Sequence, residues 1–163
     1  MKISVITATW NSALTVEGTI RSLIAQDYPD IEYIIVDGAS TDFTLDIVRR
    51  YGDRIAVVVS EKDKGIYDAL NKGIALATGD VVGFLHSDDF FADEKVLSRI
   101  AEAFTKRSLG AVYGDLNYVS KSDTTTIVRR WVSGSFKRNK FRNGWMPPHP
   151  TFYMRREHYL SLG

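Results

Sequence analysis

The sequence predicts an α/β fold: a mostly parallel central sheet with helices on both faces, followed by a smaller mixed or antiparallel region. Two observations predict it. Residues 1–105 alternate four times between a short apolar run and a segment whose apolar residues recur at helical spacing. After about residue 110 the alternation gives way to extended segments bearing Thr, Val and Tyr. Four βα units in succession imply right-handed crossovers, and therefore parallel strands covered on both sides.

Residues 3–9 are apolar and β-branched, as a strand requires. Asn11 or Ser12 is placed to cap the next helix, whose apolar face is Val16, Ile20, Leu23 and Ile24. Asp27-Tyr28-Pro29-Asp30 breaks it. Residues 31–36 form a second strand, and Ser40-Thr41-Asp42 opens a second helix through Leu45, Val48 and Tyr51. Residues 55–59 are the third strand. Ile66, Ala69, Leu70, Gly73, Ile74 and Ala77 mark the third helix, ended by Thr78-Gly79-Asp80. Residues 81–85 are the fourth strand, and Asp93 begins a fourth helix through Val96, Leu97, Ile100 and Phe104. Beyond them, residues 111–119 and 125–132 read as two extended segments joined by a hairpin loop at Ser120-Lys121-Ser122-Asp123. Residues 133–143 read as a polar, basic loop of low order, Met146-Pro147-Pro148-His149-Pro150 as a rigid connector, residues 151–154 as a short strand and 156–162 as a helix.

Composition bounds the function. The chain has 163 residues, 44% hydrophobic and 25% charged, which suits one soluble domain with a real core. It has no cysteine, so disulfides and thiolate metal sites are excluded. No signal-peptide pattern opens the chain, and no apolar stretch reaches the ~20 residues that span a bilayer. A cytoplasmic location is the expectation. Net charge is +1, yet nine Lys/Arg and only two Asp/Glu fall from Lys121 onward. Arg129, Arg130, Lys137, Arg138, Lys140 and Arg142 interleave there with Trp131, Phe136, Phe141 and Trp145. That pattern suits an anionic lipid surface or a diphosphate, or else is a solvated loop with snorkelling stems. Nucleic acid is not the expected partner.

The chemistry concentrates at strand ends. Residues 81–85 run into His86-Ser87-Asp88-Asp89, two adjacent carboxylates that repel each other and call for a cation or many donors. Hard oxygen ligands suit Mg²⁺ or Mn²⁺ carrying a phosphorylated substrate. The plainer alternative is that one of the pair caps the following helix. Trp10-Asn11, Asp37-Gly38 and Asp88-Asp89 all end strands, and ligands of parallel sheets bind beyond those ends. No Gly-x-Gly-x-x-Gly follows the first strand, which disfavours a nicotinamide or flavin enzyme, and there is no Walker loop.

Four motifs in order, Ser4-Val5-Ile6-Thr7-Ala8-Thr9-Trp10-Asn11, Val36-Asp37-Gly38-Ala39-Ser40-Thr41-Asp42, Asp63-Lys64-Gly65-Ile66-Tyr67-Asp68-Ala69-Leu70-Asn71-Lys72-Gly73 and Ser87-Asp88-Asp89, resemble family 2 glycosyltransferases. His149-Pro150-Thr151-Phe152 extends the resemblance over nearly the whole chain, and the third motif resembles the bacterial branch that builds surface polysaccharides. The resemblance implies a GT-A fold, Rossmann-like in its central sheet, and transfer of a sugar from a nucleoside diphosphate, UDP favoured, with inversion. The acceptor would be a glycan or a lipid-linked molecule, at the inner face of the membrane in the latter case.

By position, Thr9 and Trp10 would line the nucleoside pocket and Asp37 would bond the base. Asp63 and Lys64 would lie near base or diphosphate. Asp88 would face ribose or metal, Asp89 would ligate the metal, and His149 would orient acceptor or phosphate. Gly38 departs from the pattern, since many members carry a second aspartate there. His86-Ser87-Asp88-Asp89 lacks a strict Asp-x-Asp. Residues 1–163 are read as one domain, 1–105 its nucleotide half and 106–163 part of its acceptor half, with the catalytic base expected beyond Gly163. The alternative function is a non-catalytic nucleotide-sugar binding module. Asp42 is read as a helix cap, and Asp68, Asn71 and Asp115 are each open to a structural role.

Overall fold

The computed structural model describes residues 1–162. Its main sheet takes strands β1 (Ile3–Thr9), β2 (Ile31–Asp37), β3 (Val57–Ser60), β4 (Val81–Phe84), β5 (Ala111–Val112) and β8 (Tyr153–Arg155) in the order β3-β2-β1-β4-β8-β5. The first four are parallel, and β8 runs antiparallel to both β4 and β5. A separate two-stranded ribbon joins β6 (Leu116–Val119) to β7 (Ile127–Trp131). The expected mostly parallel sheet with a smaller antiparallel part is therefore the observed architecture.

Alternation of side chains along the strands divides the core in two. Ile3, Val5, Tyr33 and Ile35 face α1 (Val16–Ile24), α2 (Thr44–Arg49) and α4 (Val96–Lys106). Ile6, Ile34, Val36 and Val82 face α3 (Ile66–Leu76), with Tyr159 of α5 (Arg156–Leu162) at the margin. Both faces are covered, which is why these strands are apolar on both sides. The chain reverses its direction of winding between β1 and β4, so a crevice opens beyond their carboxyl ends.

The antiparallel addition depends on one bare position. Gly83 pairs with Tyr153, and a Cβ on Gly83 would lie 2.1 Å from Tyr153 Cε1. The Tyr153 ring thus occupies the side-chain space of its partner and is 1% exposed. Near the amino ends of β1 and β2, Glu32 accepts hydrogen bonds from Ser4 Oγ, Thr78 N and Thr78 Oγ1, and pairs with Lys2 Nζ at 3.0 Å. Burial raises its pKa, but these partners outweigh that and hold the carboxyl at about 2.

Several expectations need correction. The extended run at 111–119 breaks at Tyr113-Gly114-Asp115, where Gly114 N donates to Thr151 Oγ1 and Asp115 accepts from Ser133, sending β6 out of the main sheet. The third strand begins at Val57, because Gly52–Arg54 makes a 3₁₀ turn and Ile55 packs into the core. The segment expected to lack order contains a 3₁₀ turn at Arg138–Asn143, closed by Gly144 at φ 76°. Phe136, Phe141 and Trp145 hold it edge to face. His149–Thr151 is likewise a 3₁₀ turn. Asn11 and Ser12 lie ahead of α1 without capping it by side chain, and α4 starts at Val96, with Asp93 accepting from Lys95 N just before it. No helix among the described residues is long and apolar enough to cross a membrane.

Candidate functional site

The parallel register puts Thr9, Asp37 and Ser60 side by side at the carboxyl ends of three adjacent strands. Asp37 is fully buried. Its Oδ1 accepts from Thr9 Oγ1 at 2.9 Å and Ser40 Oγ at 2.5 Å, and its Oδ2 accepts from Ser40 N at 2.9 Å and Ser60 Oγ at 2.7 Å. Four donors fill the directions in which a carboxylate accepts. The charge is thereby used to fix the loop that follows β2.

That loop is sewn to the loop after β1. Asn11 N donates to Ser40 Oγ at 2.8 Å, and Asn11 Oδ1 accepts from Thr41 N at 2.9 Å. Asp42 accepts from Ala13 N and from Thr44 N, so it holds the β1 loop as well as the entrance of α2. Asn11 and Ala39 both adopt left-handed backbone, at φ 49° and 61°. Strain of this kind persists where surrounding contacts fix it, as these do. The result is a rigid ledge from which Trp10 projects, 69% exposed.

The loop between β3 and α3 completes this side. Asp63 Oδ1 accepts from Gly65 N at 2.8 Å, and Gly65 has φ 113°. Asp63 Oδ2 reaches toward Gly38: a Cβ there would lie 2.6 Å from it and 3.4 Å from Trp10 Cδ1. Lys64 is exposed next to it. Asp68 accepts from Lys64 N and pairs with Lys72, and these contacts lower its pKa. Its role is to hold the turn into α3. Asn71 is exposed on that helix.

Beyond β4, Asp88 is exposed and Asp89 half-buried. Burial, and then the neighbouring Asp88 charge, pushes the Asp89 carboxyl above the usual carboxylate range. Ser87 Oγ meets Ser12 Oγ at 2.9 Å, tying this loop to the β1 ledge. Thr19 Oγ1 donates to Asp89 O at 2.8 Å and anchors the loop on α1. His86 Nε2 lies 2.8 Å from His149 Nε2, which bridges β4 to the turn before β8. Burial is the main reason the His86 imidazole sits below its usual pKa, and its Nδ1 has no partner among the described residues. Among those residues no group of three or more His, Asp or Glu side chains converges to hold an ion. The donors present are the two adjacent carboxylates, whose mutual repulsion a cation would relieve.

A cleft of about 750 Å³ runs from Asp88 and Asp89 past Phe90, Val112 and Asp115 to the β6–β7 ribbon. Asp115 in this cleft accepts from Ser133 N and Ser133 Oγ, which lower its pKa. At its outer rim Arg129 lies over the rings of Tyr118 and Trp131, at 5.3 and 6.0 Å from their centroids.

The sequence matches the family described as glycosyl transferase family 2 over residues 4–160. The chain belongs to that family. It is 36% identical over 118 residues to a PGL/p-HBAD biosynthesis glycosyltransferase of Mycobacterium tuberculosis, covering 69% of this chain and 46% of that relative. It is similar in structure to S. aureus TarS 1–349 in complex with UDP-GlcNAc, at TM-score 0.78 and 23% identity over 99% of this chain and 47% of TarS. A mannosyltransferase of Pyrobaculum calidifontis in complex with GDP-Man and Mn²⁺ gives TM-score 0.74 and 25% identity, over 99% of this chain and 46% of that one. The chain thus spans less than half the length of each of these proteins.

Within this glycosyl transferase family 2 chain, Thr9, Trp10, Asp37, Asp63 and Lys64 gather at the ends of β1 to β3, and Asp88, Asp89 and His149 beyond β4. The sequence reading missed Ser40 and Ser60 as partners of Asp37, and His86 as the partner of His149. Ser60 carried a usable signal as the polar end of an apolar run. The other pairings depend on tertiary contacts.

Proposed function

We propose that this chain binds a nucleoside-diphosphate sugar across the carboxyl ends of β1, β2 and β4 and transfers the sugar with inversion to an acceptor in the cleft beyond Asp88 and Asp89. The observation that carries this reading is the convergence of three polar strand ends at the point where the sheet reverses its winding. Exposed Trp10 offers a face for the base, and Asp37 and Thr9 hold the ledge that presents it. Lys64 stands near the diphosphate, and Asp88 faces the ribose or the cation.

Asp88 and Asp89 would hold Mg²⁺ or Mn²⁺, with diphosphate oxygens completing the shell. Such an ion, when bound, neutralises the charge developing on the departing nucleoside diphosphate. The raised pKa of Asp89 is consistent with a site built for a cation. His149, held by His86, would orient phosphate or acceptor. Asp115 is a poor base for the acceptor hydroxyl, since Ser133 stabilises its charged form. The finer reading of the acceptor is a glycan or a lipid-linked molecule of a bacterial surface polymer. Exposed Phe136, Phe141 and Met146 beside Lys137, Arg138 and Arg142 support contact with an anionic membrane.

The test is calorimetric titration with UDP and with GDP, each with and without Mn²⁺, on the wild type and on Asp89→Ala. Binding that requires Mn²⁺ and is lost in Asp89→Ala supports the reading. A folded protein that binds neither nucleotide refutes it. Binding without any sugar transfer from a UDP-sugar would favour the non-catalytic module instead.

A further inference from the structure

Residues 124–156 carry eight Lys/Arg and no Asp or Glu, and half of those bases fall on one short surface knob. The knob is the 3₁₀ turn Arg138–Asn143 with its flanks, residues 135–146. Phe136, Phe141 and Met146 are exposed on it. Lys137, Arg138 and Arg142 are exposed as well, and none of the three pairs with a carboxylate among the described residues. Bare apolar side chains and unneutralised cations on one turn are both poorly served by water. Phe136, Phe141 and Trp145 meet edge to face, with centroids 5.4 to 6.4 Å apart, so the rings form a compact wedge rather than a row of open faces. The wedge is fixed at its root. Trp145 Nε1 donates to Ser133 O at 3.1 Å, Tyr113 OH donates to Gly134 O at 3.0 Å, and Asp115 accepts from Ser133 N at 3.0 Å. Tyr113 and Asp115 also line the cleft beyond Asp88 and Asp89, so wedge and cleft share a wall.

We propose that residues 135–146 are a membrane-docking wedge: Phe136, Phe141 and Met146 enter the boundary between headgroups and acyl chains of an anionic bilayer, while Lys137, Arg138 and Arg142 rest on its phosphates. Charge complementarity commits the surface to that partner. A basic loop alone would suit any polyanion. Apolar side chains set among the bases need an apolar layer beneath the charge, and a bilayer supplies both. Single-stranded nucleic acid is held on open aromatic faces. Here the rings pack at steep angles on one another instead. The contacts at Ser133 and Gly134 order the wedge in advance, so docking costs little further ordering. Docking itself needs no nucleotide. Its consequence rests on the transferase reading above: the shared wall holds the cleft against the lipid surface, so a lipid-linked acceptor is taken from the plane of the membrane rather than from water.

The experiment is sedimentation of the chain with vesicles of phosphatidylcholine alone, and of phosphatidylcholine with an equal share of phosphatidylglycerol, at low salt. The chain should sediment with the anionic vesicles and stay in solution with the neutral ones. Lys137→Gln, Arg138→Gln and Arg142→Gln combined should weaken binding by about 100-fold, near 5-fold for each charge. Phe136→Ser should weaken it by about 10-fold. Met146→Ser, outside the three-ring cluster, should weaken it several-fold and keeps the proposal testable if Phe136→Ser loosens the rings. Binding undiminished by both apolar replacements marks a solvated basic loop drawn to any polyanion and overturns the proposal. So does a folded chain that stays in solution with the anionic vesicles, or one that prefers single-stranded DNA to them at the same salt. A chain that docks yet binds no nucleoside diphosphate keeps the wedge and loses the transferase reading, whereas nucleotide binding without docking loses the wedge alone.

Discussion

Replacing Asp37 with Asn keeps the shape of the side chain and removes its charge at a position fully closed to solvent. The carboxylate accepts four hydrogen bonds, three from the hydroxyls of Thr9, Ser40 and Ser60 and one from Ser40 N. An amide accepts through its oxygen alone. With its nitrogen at the Oδ2 position, the Ser40 backbone N–H meets another donor and cannot turn away. With its nitrogen at the Oδ1 position, the hydroxyls of Thr9 and Ser40 must both reverse, and Ser40 Oγ already accepts from Asn11 N. At least one charge-assisted bond is lost either way, roughly 1.5–3 kcal/mol each. Relief from burying a carboxylate without a cationic partner offsets part of a second loss. The expected net destabilisation is about 2 kcal/mol, which for a chain of 163 residues lowers Tm by about 4–8 °C. Thermal unfolding followed by circular dichroism without nucleotide measures it. An unchanged Tm would refute the reasoning. Unchanged Tm with lost UDP affinity would reassign Asp37 from holding the loop to touching the base.

Two further outcomes are expected. Ala39 sits at φ 61°, where a Cβ costs about 1 kcal/mol, so Ala39→Gly should be neutral to slightly stabilising despite the flexibility glycine adds to the unfolded chain. A urea midpoint that falls would show that the Ala39 methyl makes a contact outweighing its strain. Glu32 is held at about 2 in the folded state against an ordinary 4.5. Its folded pKa is the depressed one, so its contribution is complete above about pH 4.5 and is lost as pH falls from there toward 2, roughly 3 kcal/mol at most. Glu32→Gln should flatten the stability-against-pH curve in that window, and an unaltered slope would reject the assignment.

The parallel half was legible because its signals are local. Ile3 to Thr9, the Val16–Ile24 spacing and the Ile66–Ala77 spacing each state their own period, and four such units in a row leave few topologies open. The antiparallel half was less legible for the opposite reason. Whether residues 111–119 form one strand or two depends on Thr151 and Ser133, which lie far along the chain. Asp37, Asp88 and Asp89 could be found as charges ending apolar runs. That Asp37 faces inward to Ser60 and Ser40 could not, since both hydroxyls reach it through the sheet register and the turn after β2. Asn11 was visible as a turn residue and read as a helix cap. Its partners on the loop after β2, Ser40 and Thr41, gave it a different task.

The place of β8 in the sheet has a consequence for how the chain is made. It follows β5, β6 and β7 in sequence, yet it lies between β4 and β5 in the sheet. During synthesis β5 emerges with no neighbour to pair with and must wait for residues 113–152 to pass before Tyr153 arrives. Through that interval β4 is an open, apolar edge, Val81-Val82-Gly83, whose bare glycine offers no steric guard against a foreign strand. The Tyr153 ring that later lies on Gly83 is therefore a late keystone, set in place only when almost the whole described chain has left the ribosome.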